Sequence, residues 1–376
     1  MADIEGTWDP RFDGVVTALS SSLDAGTDVG ASVAVFVEGE PMVDIWGGSV
    51  DEAHSAPWQE DTITNVWSTT KTMTFLCALM LHDRGELDFY APVAEYWPEF
   101  AAAGKATVEV RHLMAHTAGL PGWTEPLEAE GLADWDRCTS MLAAQEPWWE
   151  PGTASGYHAV TQGYLIGEVV RRITGDSIGT WFAREISGPL GADFFIGLPE
   201  SEDRRVSMVI PPPPVDLEEF QPTKMAVRAL SNPLVDAGWP RSAWWRRAEI
   251  PAANGHGNAR SVATIQSIIA GGGEARGVRL LSEAGCQPIF DEQSNGTDLV
   301  LGLPNRFGMG YGLATEVMPI GPRACYWGGY GGSLIVMDLE TQLTVCYVMN
   351  RMESGLQGDF RGATIALAAA VAAAED

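Results

Sequence analysis

The strongest constraint on the fold is that strand-forming sequence lies at both ends of the chain. Near the N-terminus, apolar segments at residues 31–37 and 42–48 flank a Glu-Gly-Glu-Pro turn, which is typical of a β-hairpin. Near the C-terminus, residues 333–339 and 343–349 form a second such pair, and an alanine-rich helix follows at residues 363–374. The sequence therefore predicts one antiparallel sheet assembled from both chain ends.

The sequence between these hairpins is mostly helical. Apolar residues recur at helical spacing over residues 72–84, which end at Gly85, and over residues 161–174, which end at Gly175. Residues 108–116 form a shorter helical segment. We therefore predict an α/β fold of the α+β type, with an antiparallel sheet flanked by helices and an inserted, mostly helical domain. The predicted boundaries are residues 1–70 for the first part of the α/β domain, 71–175 for the helical domain and 176–376 for the second part.

Composition and charge limit the partners of this chain. Its 376 residues carry a formal net charge of −27, which disfavours binding to nucleic acid or to anionic membranes. The N-terminal sequence has no secretory signal pattern, and the longest apolar run is too short to span a bilayer. Five scattered cysteines are typical of reduced residues in a cytoplasmic protein. We expect a cytoplasmic protein without a membrane span or a nucleic-acid partner, and the oligomeric state stays open.

The first candidate for chemistry is Ser68 with Lys71, which is one of only three lysines in the chain. Residues three apart lie on one face of a helix, so the hydroxyl and the amine would be within reach of each other. A serine hydroxyl is a weak nucleophile unless a neighbouring group accepts its proton. The pair alone is also compatible with a helix N-terminus that Ser68 caps and where Lys71 is solvated. Other residues must decide between the two.

Tyr157 is the second candidate, because it follows a Pro-Gly and a Ser-Gly turn just before the helix that begins near Thr161. A phenol at that point can project from a rigid loop into a cleft. Near an ammonium group its pKa would fall toward the working range, which would make Tyr157 a candidate general base. The alternative is that Tyr157 only packs its loop onto the core.

The third candidate is the glycine-rich stretch Tyr-Trp-Gly-Gly-Tyr-Gly-Gly-Ser at residues 326–333. Four glycines let the backbone approach a ligand closely. An edge strand at this point could offer a backbone N–H to a developing oxyanion. A plain glycine-rich turn before a strand is the alternative.

These three elements, in this order and spacing, resemble the serine β-lactamase and penicillin-recognising enzyme superfamily. Within it the chain is most similar to the family VIII carboxylesterases, which are relatives of the class C β-lactamases. The resemblance extends over nearly the whole chain and implies a β-lactamase-like fold. The supporting segments are residues 87–100, 110–121, 149–167 and 251–260 and the Trp-Gly-Gly element at 327–329.

The resemblance also implies a mechanism. Ser68 would open the helix and form an acyl-enzyme, and the backbone N–H groups of Ser68 and Tyr330 would make up the oxyanion hole. The helix N-terminus would stabilise the oxyanion and lower the pKa of Lys71. Lys71 and Tyr157 would share the transfer of the Ser68 proton to the leaving alcohol. Because no glutamate-based deacylation motif is evident, we favour Tyr157 as the base, and we expect neither a cofactor nor a metal ion.

Two departures from the lactamase pattern bear on the substrate. Residues 157–159 are Tyr-His-Ala instead of Tyr-x-Asn, so the amide that would bind a β-lactam side chain is missing. Residues 327–329 are Trp-Gly-Gly instead of Lys-Thr-Gly, and an indole cannot pair with a substrate carboxylate, whose burial without a partner is costly. Both departures favour short-chain, neutral esters, and some of the fourteen tryptophans could line the pocket. The predicted substrate-binding residues are His158, Trp327, Gly328 and Gly329.

Alternative functions stay open. The nearest alternative is an amidase, D-amino-acid peptidase or weak β-lactamase on the same scaffold. A catalytically silent binding module belongs to a different class, and the joint presence of Ser68, Lys71 and Tyr157 speaks against it. His112 and His116 have metal-ligand spacing, but no third ligand matches them and there is no His-Glu-x-x-His motif.

Overall fold

In the computed structural model, which describes residues 2–213, 222–355 and 358–374, the two ends of the chain form one nine-stranded antiparallel sheet. The predicted sheet built from both chain ends is thereby confirmed. The strands are β1 (Ile4–Trp8), β2 (Gly30–Val37), β3 (Glu40–Gly48), β4 (Thr64–Asn65), β5 (His256–Gly257), β6 (Glu274–Ala275), β7 (Val278–Arg279), β8 (Ser294–Thr297), β9 (Pro304–Phe307), β10 (Gly312–Leu313), β11 (Ala324–Gly328), β12 (Leu334–Asp338) and β13 (Leu343–Met349).

The large sheet has the strand order β1-β3-β2-β13-β12-β11-β10-β9-β8. The first hairpin of the chain thus lies inside the sheet, between β1 and β13, and β2 pairs with β13 from the other chain end. Strands β4 and β5 form one separate pair, and β6 and β7 form another.

The β2–β3 hairpin is tighter than the sequence predicts. Its turn consists of Glu38 and Gly39 alone, with φ angles of 52° and 79°, and β3 begins at Glu40 rather than at Met42. A two-residue turn with both φ angles positive matches the right-handed twist of the flanking strands. The twist therefore favours this register over the four-residue turn.

The predicted helical segments are present, with small shifts at their ends. The segment at residues 161–174 has the predicted bounds, and Gly175 ends it with a φ of 78° and an N–H bond to the carbonyl oxygen of Arg171. The segment at residues 108–116 is shorter than predicted, because Glu109 caps its start and His116 leaves the helical region with a φ of 60°. The α-helices are α1 (Asp13–Asp24), α2 (Lys71–Asp83), α3 (Val93–Tyr96), α4 (Val110–Met114), α5 (Trp135–Ala144), α6 (Thr161–Thr174), α7 (Ile178–Phe182), α8 (Gly188–Leu190), α9 (Lys224–Leu230), α10 (Ala243–Arg247), α11 (Ala259–Ala270), α12 (Glu283–Cys286) and α13 (Phe360–Ala373).

Helices cover both faces of the sheet. On β13, the ring of Tyr347 lies against Gly362 of α13. On β2, Ser32 pairs with Val348 and accepts a hydrogen bond from the backbone N–H of Ala259, at the start of α11. Since successive residues of a strand point to opposite faces, α13 and α11 lie on opposite faces of the sheet.

Helices α2, α4, α5 and α6 pack on one another beside the sheet. We keep the domain boundaries at residues 70 and 175 as a proposal that this packing supports. The five cysteines are buried and form no disulfide. In the ranges that the structure describes, no helix is long and apolar enough to cross a membrane.

Candidate active site

Ser68 lies on a short 3-10 helix, Trp67–Thr70, that runs directly into α2. The prediction that Ser68 opens the α-helix is therefore wrong by one turn. The tight winding begins at Trp67, whose φ of 47° lies in the left-handed region and costs a non-glycine residue about 1–3 kcal/mol. Ring contacts of Trp67 with Trp245 and Tyr330, at centroid distances of 5.5 and 5.4 Å, hold this conformation. Packing thus fixes the turn that carries Ser68.

Lys71 is buried and makes three polar contacts. Its Nζ lies 3.1 Å from Ser68 Oγ, 2.7 Å from the carbonyl oxygen of Ala159 and 2.9 Å from that of Ala252. Burial lowers the pKa of the Lys71 ammonium well below its usual value. The lowering was predicted, but its cause is burial rather than the helix N-terminus. A neutral amine that donates to both carbonyl groups keeps its lone pair for the Ser68 hydroxyl, as a general base must.

Tyr157 lies beside this pair, with the Lys71 Nζ 5.0 Å from the centre of its ring. Burial raises the pKa of the Tyr157 phenol, and the neighbouring side chains of Ser68 and Trp327 offset only part of the rise. The prediction that an ammonium group lowers this pKa is wrong, because burial dominates and also favours the uncharged form of Lys71. Within the described residues, no group completes a hydrogen bond to the Tyr157 hydroxyl. Burial therefore favours the protonated phenol of Tyr157.

The glycine-rich stretch forms the end of β11 and its turn into β12. The sequence predicts an edge strand here. That prediction is wrong, because β11 pairs with β12 on one side and with β10 on the other. However, the pairing with β10 involves only Cys325 and Tyr326, so Trp327 and Gly328 extend beyond the end of β10. Gly329 lies against the nucleophile turn, since a Cβ atom there would be 2.4 Å from the carbonyl oxygen of Val66. The absence of a side chain at residue 329 thus lets the β11–β12 turn approach Ser68.

The predicted oxyanion donors are compatible with this geometry. Among the described residues, the backbone N–H groups of Ser68 and Tyr330 have no hydrogen-bond acceptor. The turn that carries Tyr330 is fixed on both sides, because Gly329 N–H bonds to Ser333 and Gly331 N–H bonds to Gly355. Unpaired backbone amides on turns that hydrogen bonds hold in place are the donors that an oxyanion hole requires, and the joint role of these two stays a prediction.

Trp327 lies behind the reacting groups and is only 2% exposed. Its ring stacks on His116 at 5.6 Å and on Tyr157 at 6.3 Å between centroids. In the described part of the chain its Nε1–H has no acceptor. Trp327 therefore forms the apolar base of the site and holds the Tyr157 ring, and its substrate contact stays a prediction, as do those of Gly328 and Gly329.

The substrate contact of His158 stays a prediction, and the structure places this side chain in the core behind Tyr157. The side chain is fully buried. Its Nδ1 bonds to the carbonyl oxygen of Gly156 at 2.6 Å, and its Nε2 accepts the backbone N–H of Leu120 at 3.0 Å. Both ring nitrogens are thus used to fix the loop behind Tyr157. The pattern Tyr-His-Ala gave no sign that the residue after the tyrosine turns into the core.

Two residues that support Tyr157 lie far from it in sequence. Asp298 accepts the backbone N–H of Tyr157 at 2.9 Å, and sequence spacing across 141 residues gave no signal for this contact. His116 Nδ1 accepts the backbone N–H of His158 at 3.0 Å, so His116 holds the tyrosine loop. In the ranges described, no three His, Cys, Asp or Glu side chains are grouped so that they could hold a metal ion.

Comparison with known proteins gives matches over most of the chain. The model of the family described as Beta-lactamase matches residues 19–370. The Esterase/beta-lactamase LipL of Mycobacterium tuberculosis (strain ATCC 25618 / H37Rv) is 36% identical over 365 residues, which cover 93% of this chain and 84% of LipL. The crystal structure of a family VIII carboxylesterase has a TM-score of 0.93 at 40% identity and covers 98% of this chain and 100% of its own. A penicillin-binding protein homologue from Caulobacter crescentus has a TM-score of 0.93 at 36% identity, with the same coverage.

Proposed function

Because the chain belongs to the Beta-lactamase family and is a serine hydrolase acting on esters, we propose that it hydrolyses short-chain, neutral esters through an acyl-enzyme on Ser68. The observation that carries the proposal is the 3.1 Å contact between Lys71 Nζ and Ser68 Oγ. Burial of Lys71 favours its neutral amine, which is the form that can accept a proton.

In the acylation step, Lys71 takes the proton of Ser68 as Ser68 Oγ forms a bond to the ester carbonyl carbon. The negative charge that develops on the carbonyl oxygen is stabilised by the backbone N–H groups of Ser68 and Tyr330. When the bond from carbon to the leaving oxygen breaks, Tyr157 donates its proton to that oxygen and is reprotonated from Lys71. This assignment makes Lys71 the base and Tyr157 the acid, which reverses the preference that the sequence suggested.

Deacylation follows the same route in reverse. A water molecule takes the place of the alcohol and loses one proton through Tyr157 to Lys71 while its oxygen bonds to the acyl carbon. The bond between that carbon and Ser68 Oγ then breaks, and Lys71 returns a proton to Ser68. No carboxylate base is required, because the same two groups move the proton in both half-reactions.

A neutral substrate fits the charges around Ser68. Lys71 is the basic side chain in contact with the nucleophile, and its amine is already engaged with Ser68 and two carbonyl groups. Trp327, at the place where lactamases carry a lysine, offers no charge to a substrate carboxylate. Next to the nucleophile turn lie aromatic rings of Trp67 and Tyr330, which favour an apolar acyl or alcohol group.

The experiment is a rate panel with 4-nitrophenyl esters of increasing acyl length, a nitroanilide amide and a chromogenic cephalosporin. We expect kcat/KM to be highest for a short acyl ester and far lower for the amide and the cephalosporin. A preference for the cephalosporin over 4-nitrophenyl butyrate would contradict the proposal and favour a β-lactamase. A preference for the amide would favour the amidase.

A further inference from the structure

Asp298 is a fully buried carboxylate that has no role in the reaction steps proposed above. Its Oδ1 accepts backbone N–H groups from Tyr157, Val300 and Leu301, each at 2.9 Å. Its Oδ2 accepts the hydroxyl of Ser155. All four donors are uncharged, so the charge of Asp298 is held by dipoles and not by a cation. Placing a carboxylate in such a site is costly and needs several donors.

These bonds attach the loop that carries Tyr157 to the segment around Asp298. The backbone N–H of Leu299 bonds to the carbonyl oxygen of Ser155 at 2.8 Å, so the two segments are joined by backbone as well as side-chain contacts. On the other side, the backbone N–H of His158 bonds to His116 Nδ1. Tyr157 therefore lies between Ser155 and His158, both of which are held by hydrogen bonds. The bond from the Tyr157 backbone N–H to Asp298 also limits how the Tyr157 Cα can move.

We propose that Asp298 is a positioning residue that keeps the Tyr157 phenol aligned for proton donation to the leaving alcohol. The inference rests on the proposed ester hydrolysis and assigns a function to a residue that does not touch the substrate.

The hydrogen bonds of Asp298 hold the Tyr157 loop in place, and the negative charge of Asp298 favours the protonated form of the Tyr157 phenol. The titratable groups that face Tyr157 are Lys71 from α2, His116 from the turn after α4, His158 from the tyrosine loop and Asp298. Burial lowers the pKa values of Lys71, His116 and His158, which favours their uncharged forms. Asp298 is the carboxylate in this group. Burial is the main cause of the raised pKa of Tyr157, and the negative charge of Asp298 raises this pKa further. A protonated phenol is the form that can act as an acid.

The test compares two leaving groups in the variant Asp298→Asn. Asparagine keeps an oxygen for the three backbone N–H groups but loses the charge and one acceptor for Ser155. Nitrophenolate leaves without a proton, whereas ethoxide needs one, so only ethyl butyrate depends on an aligned acid. We expect Asp298→Asn to lower kcat/KM for ethyl butyrate at least about tenfold more than for 4-nitrophenyl butyrate, since acid catalysis contributes 10²–10⁴-fold. An equal loss on both esters, as a merely structural role would produce, overturns the proposal.

Glu249→Gln is the matched control. Glu249 also accepts a serine hydroxyl, from Ser177 at 2.7 Å, and a backbone N–H, from Gly179 at 2.9 Å, at the start of α7. Removing this charge should leave the ratio of the two rates unchanged. If the control changes the ratio as much as Asp298→Asn does, the assignment to Asp298 is wrong.

Two further variants keep the test decisive if Asp298→Asn does not fold. Ser155→Ala removes only the contact to Oδ2, and we expect a smaller change of the rate ratio in the same direction. In a Tyr157→Phe background, Ser155→Ala should not change the ratio further, because the acid that it aligns is absent. An unchanged ratio in Ser155→Ala, or a full additional change in the double variant, overturns the proposal. A wild-type protein that hydrolyses neither ester would instead refute the proposed function itself.

Discussion

Replacing Lys71 with methionine removes the proposed base while a side chain of similar length keeps the site filled. The variant leaves the carbonyl oxygens of Ala159 and Ala252 without the donor that they have in the wild type. An unsatisfied buried acceptor costs about 1–3 kcal/mol, but the buried amine, whose desolvation is unfavourable, is removed as well. We therefore expect a net loss of unfolding free energy of no more than a few kcal/mol and a folded variant.

The loss of activity should be much larger than the loss of stability. General base catalysis contributes about 10²–10⁴-fold, so we expect Lys71→Met to lower kcat/KM for 4-nitrophenyl butyrate by at least about a hundredfold. The assay is stopped-flow acylation, with thermal unfolding measured on the same sample. A folded Lys71→Met variant with a rate near that of the wild type would refute the assignment of Lys71 as the base.

Lys105 offers a matched control. It is also fully buried, and its Nζ donates to the carbonyl oxygens of Ala102, Ala143 and Gln145 instead of to a serine. Lys105→Met should therefore destabilise the fold without changing kcat/KM. If both lysine variants lose activity to the same degree, the effect of Lys71→Met is one of stability and not of catalysis.

The same perturbation predicts two pH effects of defined sign. The folded protein holds the pKa of Lys71 below that of the unfolded chain, so between the two values the unfolded chain binds more protons and stability rises with pH. Lys105 contributes in the same way above its folded pKa of about 8. In Lys71→Met the rise of stability should be smaller than in the wild type. The kcat/KM of the wild type should rise as Lys71 loses its proton and level off below pH 10.5, the usual pKa of a lysine.

Two other substitutions test the β11–β12 turn and the substrate. Gly329→Ala should lower kcat/KM for 4-nitrophenyl butyrate by about tenfold or more, because the added Cβ would collide with Val66 and displace the oxyanion donors. The control is Gly85→Ala, which should change stability only, because no atom lies within 4 Å of the added Cβ. Equal activities of the two variants would contradict the argument. Trp327→Lys should raise the rate on a chromogenic cephalosporin relative to 4-nitrophenyl butyrate by adding a cation for the carboxylate, and an unchanged ratio would show that charge at residue 327 does not select the substrate.

The elements that sequence predicts well are those fixed by local patterns. The helix α6 follows from its apolar spacing and from Gly175, and the hairpins at both chain ends follow from apolar segments that flank short turns. The contact between Ser68 and Lys71 follows from their spacing, because three residues along a helical turn bring the two side chains together even where the winding is 3-10 rather than α.

The properties that the sequence does not reveal depend on burial and on distant contacts. His158 follows Tyr157 directly, but only the packing of Leu120 and Gly156 around it turns its ring into the core. The raised pKa of Tyr157 likewise results from burial by segments from several parts of the chain. Asp298 approaches the tyrosine loop across 141 residues, a distance over which no local pattern operates.

The most direct test of the central claim is covalent labelling of the native protein with a fluorophosphonate, followed by peptide mapping. Serine attack on this reagent requires the activation that we ascribe to Lys71 and the oxyanion donors. We expect one label per chain, located on Ser68, and no label in Ser68→Ala or after unfolding. A native protein without a label on Ser68, or with the label on another residue, would contradict Ser68 as the nucleophile.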